Sequence, residues 1–193
     1  MEQIKFDEPG LYILRGPRQI GKTTTIKLII KKLITEGINP RKILYFPCDN
    51  VKDRFEFTEL MIRYVKTLPE LKEAFIFVDE ITVIPEWQLA IKYLIDNGFI
   101  DKSVIMLTGS SAYDLKISSE KLPGRRGNGR DIIYLPLSFN EFLKGFQINI
   151  ERISLTDFLN LSMEDLKNFE TKLSFLKRYF DIYWNRGISI RCK

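Results

Sequence analysis

Apolar residues fall in short blocks along this chain, and their spacing alternates between two regimes. LYILR (11–15), KILYFP (42–47), AFIFVDE (74–80), SVIMLTG (103–109) and DIIYLP (131–136) are nearly continuous apolar runs of strand length. Such runs fit strands buried on both faces. Between them the period lengthens. After Lys22, the residues Ile26, Ile29, Ile30, Leu33 and Ile34 recur at i, i+3, i+4, i+7 and i+8, the stripe of an amphipathic helix, and Gly37 supplies the stop. Residues 54–67 predict a second helix, closed by Pro69. A third is expected to open at Pro85, where a missing N–H costs nothing, and to run to Gly98. Strands alternating with helices predict an α/β fold: a parallel five-stranded sheet with helices on both faces.

The pattern then changes. Ser138 and Glu141 have the S-x-x-E spacing of a capping box, and from there the chain reads as helix. The expected organisation is a core over 1–137 and a helical segment over 138–193, the start of a lid or a junction to a further domain. Leu166, Phe169, Leu173, Leu176, Phe180 and Tyr183 follow a 3-4-3-4-3 spacing, a heptad seam. It is short for a coiled coil and is expected to pack on the chain's own core. The stretch 116–130, KISSEKLPGRRGNGR, is rich in glycine and charge and reads as a mobile loop.

The turn after the first strand carries the chemistry. GPRQIGKTT (16–24) places Gly16, Gly21, Lys22 and Thr23 in the pattern G-x-x-x-x-G-K-[ST]. A strand, a glycine-rich turn and a helix start, in that order, wrap backbone N–H groups around phosphates. The helix end adds its positive dipole. The candidate nucleotide-binding loop comprises Gly16, Pro17, Arg18, Gln19, Ile20, Gly21, Lys22, Thr23 and Thr24. Lys22 reaches toward β/γ-phosphates, and Thr23 offers a hydroxyl to Mg²⁺.

Two acids, Asp79 and Glu80, close the third strand, at the edge where open α/β sheets bind ligands. An aspartate so placed beside a phosphate loop holds Mg²⁺, directly or through water. Extended backbone would point Glu80 away from Asp79, free to orient and deprotonate a water attacking the γ-phosphate. The fourth strand ends in LTGSS, where Thr108, Ser110 and Ser111 are candidates to bond the γ-phosphate or that water. ATP is favoured over GTP: Asp79 is followed by Glu-Ile-Thr rather than x-x-Gly, and no N-K-x-D element is present.

Composition narrows the chemistry. The 193 residues include no histidine, which excludes histidine acid/base chemistry and histidine-ligated metals. Cys48 and Cys192 stand alone and suggest neither a disulfide framework nor a zinc site. No apolar run is long enough to span a membrane, and the expectation is a soluble cytoplasmic protein. Net charge is +5, a mild excess that permits an acidic partner without requiring one. Arg125, Arg126 and Arg130 form a basic loop without the interleaved aromatic residues of a single-strand nucleic-acid platform.

The blocks GPRQIGKTT, FIFVDEI with IPEWQLAIKYL, VIMLTGSSAYDL, LPGRR and LPLSFNEFL, in that order, resemble the archaeal and bacterial AAA-type (AAA+) P-loop ATPases that carry a further C-terminal domain. The resemblance covers roughly residues 6 to 145. It implies an AAA+-like core using ATP and Mg²⁺, with Asp79 and Glu80 in the roles argued above. It also matches Gly124-Arg125 to the family's Gly-Arg element, so that Arg125 would contact a γ-phosphate as a catalytic arginine. ATP hydrolysis would be coupled to movement of an attached domain or partner. The alternatives are a nucleotide-gated switch or a DNA-binding regulator with slow hydrolysis. The family's second domain is expected beyond this chain. Partners in prospect are a homo-oligomer, or a protein or nucleic acid engaged through that domain.

Overall fold

The computed structural model describes residues 8–68, 73–109, 122, 124–150 and 153–185. It divides into two compact units, Met1–Leu135 and Pro136–Lys193.

In the first unit five strands, β1 (Gly10–Arg15), β2 (Ile43–Pro47), β3 (Phe75–Asp79), β4 (Val104–Gly109) and β5 (Asp131–Ile133), form one sheet in the order β2-β3-β4-β1-β5. Every pairing is parallel. The continuous apolar runs of β1 to β4 follow from this, since alternate residues of these strands enter different cores. Tyr12, Phe77, Val104 and Met106 meet Ile26, Ile29 and Leu33 of helix α1 (Lys22–Thr35). Leu11, Ile13, Ile76, Val78, Ile105 and Leu107 meet Phe57 and Met61 of α2 (Arg54–Lys66), and Ile91 and Leu94 of α3 (Trp87–Asp96). Each such side chain contributes ~1.5–3 kcal/mol when fully buried.

Local signals set the helix ends. Gly37, at φ 88°, lets the chain leave α1, with the Ile38 N–H returning to the Leu33 carbonyl at 3.0 Å. Asp53 caps α2 by accepting from the N–H groups of Phe55 and Glu56. The expected start of α3 at Pro85 is corrected. A 3-10 turn (Ile81–Val83) follows β3, and the helix opens at Trp87 after Glu86, whose φ is 53°. Trp87 is buried in the core.

In the second unit, α4 (Phe139–Lys144) opens with the expected capping box: the Ser138 N–H donates to Glu141 Oε2 at 2.8 Å, and the Glu141 N–H to Ser138 Oγ at 3.3 Å. Helices α5 (Leu155–Leu159), α6 (Met163–Leu173) and α7 (Lys177–Asn185) follow. The heptad seam does not lie on one continuous helix. A 3-10 turn at Ser174–Leu176 separates α6 from α7. Leu176 is buried with Phe142 and Leu143, and Leu173 and Tyr183 pack against them. Phe180 is left 46% exposed. The spacing does not carry across the join, where Tyr179, Ile182 and Tyr183 of α7 pack on the cluster, because a 3-10 turn advances the side chains by a different angle. Among the described residues, no helix is long and apolar enough to cross a membrane.

Candidate nucleotide site

The site lies where β1, β3 and β4 end beneath the first turn of α1. Gly16 leaves β1 against the backbone carbonyl of Tyr134 and the Ile20 side chain. A Cβ there would sit 2.7 Å from Ile20 Cδ1 and nearer still to the carbonyl oxygen. Gly21 is required for a different reason: its φ of 98° lies in the left-handed region. Gln19 also has positive φ, at 63°. Pro17, Arg18, Gln19 and Thr24 are exposed around the turn. Among the described residues no side chain caps the N-terminus of α1, which leaves its first N–H groups to the turn, as anion binding needs.

Lys22 is buried, and its ammonium donates to the carbonyl oxygens of Gly16 at 2.8 Å and Pro17 at 2.6 Å. Burial pulls its pKa below the ordinary lysine value. The charges of Glu80 and Asp79 work against that shift, and Arg18 reinforces it. A cation kept in the fold against its own desolvation is poised to gain from an arriving anion.

Asp79 is the hub. Its Oδ1 accepts from the Thr108 hydroxyl at 2.5 Å, and its Oδ2 accepts from Thr23 at 2.7 Å and Tyr45 at 2.9 Å. Pairing explains the convergence. Tyr45 is in register with Phe77 and Pro47 with Asp79, so the alternate positions 45, 77 and 79 share the sheet face that α1 covers. Burial, then the hydrogen bond to Asp79, push the Tyr45 phenol far up, and it stays a donor. Cys48, whose N–H donates to the Asp79 carbonyl at 3.0 Å, is fully buried. Its thiol is pushed up to about 12, chiefly by burial.

Glu80 departs from the expectation. The β3 ladder ends at Asp79, and Glu80 takes left-handed backbone (φ 56°, ψ 42°) leading into the 3-10 turn. Its N–H donates to Thr108 Oγ1 at 3.1 Å. Such backbone in a residue with a Cβ is costly and concentrates at functional sites. The charge of Glu80, ahead of that of Asp79, acts to raise the Lys22 pKa, so the carboxylate lies near the loop lysine. Thr108 thus ties the two acids together, a function not evident in its sequence position.

Arg125 is placed elsewhere. Its guanidinium makes a two-armed ion pair with Asp96, 2.6 and 2.9 Å, at the C-terminus of α3. The neighbouring Arg126 carbonyl accepts from the Leu11 N–H, and Gly127 bridges to Gly10 at the start of β1. The phosphate loop follows the other end of that strand, roughly 16 Å away at ~3.3 Å per residue. Arg125 therefore does not stand beside its own chain's loop. Arg126 pairs with Asp131 at 3.0 Å, and Asp131 also pairs with Arg15. Ser110, Ser111 and residues 116–121 of the expected mobile loop lie outside the described residues.

Tyr45 and Tyr134 escaped the sequence reading. Tyr134 shares a 2.7 Å hydrogen bond with Thr25 on α1, and its N–H donates to the Arg15 carbonyl at 2.6 Å. Both tyrosines look like ordinary strand residues in the sequence. Only strand order puts them at the site.

A parallel sheet in this order, with a glycine-rich phosphate loop after β1 and an acid pair after β3, defines a P-loop nucleoside triphosphatase of the AAA type. The model of the AAA domain family matches residues 8–143, and the chain belongs to that family of ATP-binding ATPases. The uncharacterized protein MJ1544 of Methanocaldococcus jannaschii is 27% identical over 208 residues, which cover 96% of this chain and 43% of that protein. Among solved structures, Cdc6p from Pyrobaculum aerophilum superposes with a TM-score of 0.51 at 13% identity, over 71% of this chain and 42% of the other. That likeness is one of fold. The chain spans less than half the length of either relative.

Proposed function

We propose that the chain hydrolyses ATP with Mg²⁺ at the loop after β1, and that this turnover moves an attached domain or partner. The observation that carries the reading is the convergence of Thr23 and Thr108 on Asp79, with the Glu80 N–H tied to the same Thr108, beside the buried Lys22 ammonium. Lys22 would exchange the carbonyls of Gly16 and Pro17 for β/γ-phosphate oxygens. Glu80, whose charge acts on Lys22, would orient a water and accept its proton.

The residues fit a Mg²⁺ ion. Hydroxyl and carboxylate oxygens are the donors this hard cation prefers. The Thr23 hydroxyl gives its proton to Asp79, which leaves its oxygen lone pairs for a cation. When bound, the ion would neutralise charge developing on the phosphates. Asp79→Asn tests this half of the site. The variant is expected to bind ATP like the wild type in a chelating buffer and to lose most of the gain that Mg²⁺ confers. Calorimetric titration in the two buffers reads the difference. A full Mg²⁺ gain in the variant would remove Asp79 from the cation site.

For Arg125, a neighbouring copy is the arrangement its position supports. At the sheet edge opposite the phosphate loop, it can serve a second molecule packed head to tail. An arginine delivered in this way is worth ~10³–10⁵ in rate in related phosphoryl-transfer systems. Turnover per molecule is then expected to rise with protein concentration. Mixing Arg125→Ala with Glu80→Gln is expected to restore part of the activity, since the second variant lends its arginine to the first. Wild-type turnover by Arg125→Ala at every concentration would exclude the role.

A further inference from the structure

Among the described side chains that bond the Asp79 carboxylate, Tyr45 is the one to which the scheme above gives no task. It lies on β2, an edge strand, which among the described strands pairs with β3. Its ring packs against the core under α1, and its hydroxyl donates to Asp79 Oδ2 at 2.9 Å. The same oxygen takes the Thr23 proton at 2.7 Å, and Oδ1 takes that of Thr108 at 2.5 Å.

The consequence is orientational. The last torsion of an aspartate is broad and weakly restrained. A donor on one oxygen alone leaves the other able to swing. Thr108 anchors Oδ1 from β4, and Tyr45 anchors Oδ2 from β2, on the opposite flank of β3. Thr23 cannot supply the second anchor, because its hydroxyl is the group whose direction has to be set. With Oδ2 held, the Thr23 O–H has one fixed acceptor, and its lone pairs face away from Asp79.

We propose that Tyr45 is a further positioning residue of the cation site: by holding Asp79 Oδ2 it sets the direction in which Thr23 presents its oxygen to the divalent ion. This inference rests on the phosphate-loop reading. The bland alternative is that the bond only fastens an edge strand to its neighbour. The two differ in what they predict. A fastening bond supports the fold whatever the buffer, whereas a positioning bond acts on the Mg²⁺-dependent part of nucleotide binding.

The test is Tyr45→Phe in the whole chain, which keeps the buried ring and removes the hydroxyl. ATP affinity is measured with excess Mg²⁺ and again with a chelator, alongside melting of the ligand-free protein. The expected result is wild-type affinity in chelator and a Mg²⁺ enhancement reduced about 10-fold, the scale of one hydrogen bond to a charged acceptor. In an Asp79→Asn background the same substitution is expected to add nothing, because the two side chains act as a unit. An undiminished Mg²⁺ enhancement in Tyr45→Phe overturns the inference, as does an equal loss in both buffers. A wild type that binds no ATP in either buffer overturns the phosphate-loop reading, and this inference with it.

Discussion

Glu80→Gln is expected to bind Mg-ATP as the wild type does and to hydrolyse it ~10²–10⁴ times more slowly, the usual loss when a general base is removed. The amide keeps the shape of the side chain but cannot accept the proton of the attacking water. The left-handed backbone at Glu80 is held by its N–H bond to Thr108 and by the 3-10 turn that follows. Neither depends on the carboxylate, so the variant should fold and load normally. Single-turnover release of phosphate, compared with equilibrium binding of the same preparation, separates the two effects. Wild-type hydrolysis by Glu80→Gln would make Glu80 a bystander.

Lys22→Ala carries the second large effect, this time on binding. Burial disfavours the Lys22 charge in the ligand-free protein, and a phosphate is the partner that repays it. Loss of the ammonium's bonds to anionic oxygens should weaken Mg-ATP binding by about 100-fold, since hydrogen bonds to charged groups are worth ~1.5–3 kcal/mol each. At a nucleotide concentration 100 times the wild-type Kd, ligand stabilisation is ~2.7 kcal/mol. A 100-fold weaker variant retains about 0.4 kcal/mol at that concentration. Thermal melting with and without Mg-ATP shows the difference directly. Equal stabilisation of wild type and variant would mean that the loop after β1 is not where the nucleotide binds.

What could be read from the sequence was what is encoded locally. The strands β1, β3 and β4 were visible because both faces of each are buried, which makes their apolar runs continuous, whereas β2 is half-buried and β5 leaves Ile133 exposed. The phosphate loop was visible because crowding at Gly16 and positive φ at Gly21 leave glycine little competition there. Ser138 and Glu141 announced their capping box because the bonds span three residues.

The misses are non-local or conformational. Glu80 was read as extended because no residue type signals a left-handed glutamate. The 3-10 turn at 174–176 interrupts a seam whose apolar spacing runs on through it. Tyr45 joins the site only because β2 pairs with β3 in a register that puts positions 45 and 79 on one face. Arg125 was matched to a γ-phosphate contact, yet loop sequence carries no information on which end of the sheet it folds against. Its ion pair with Asp96, 29 residues away in the chain, could be found only in three dimensions.

The most direct test of the central claim is phosphate release from ATP by the wild-type chain, followed over a range of protein concentrations with Mg²⁺ and again with a chelator. Steady turnover is expected in Mg²⁺, none above background in chelator, and a rate per molecule that climbs with concentration. Release that is indifferent to Mg²⁺, or no release in Mg²⁺ at any concentration, would contradict that claim.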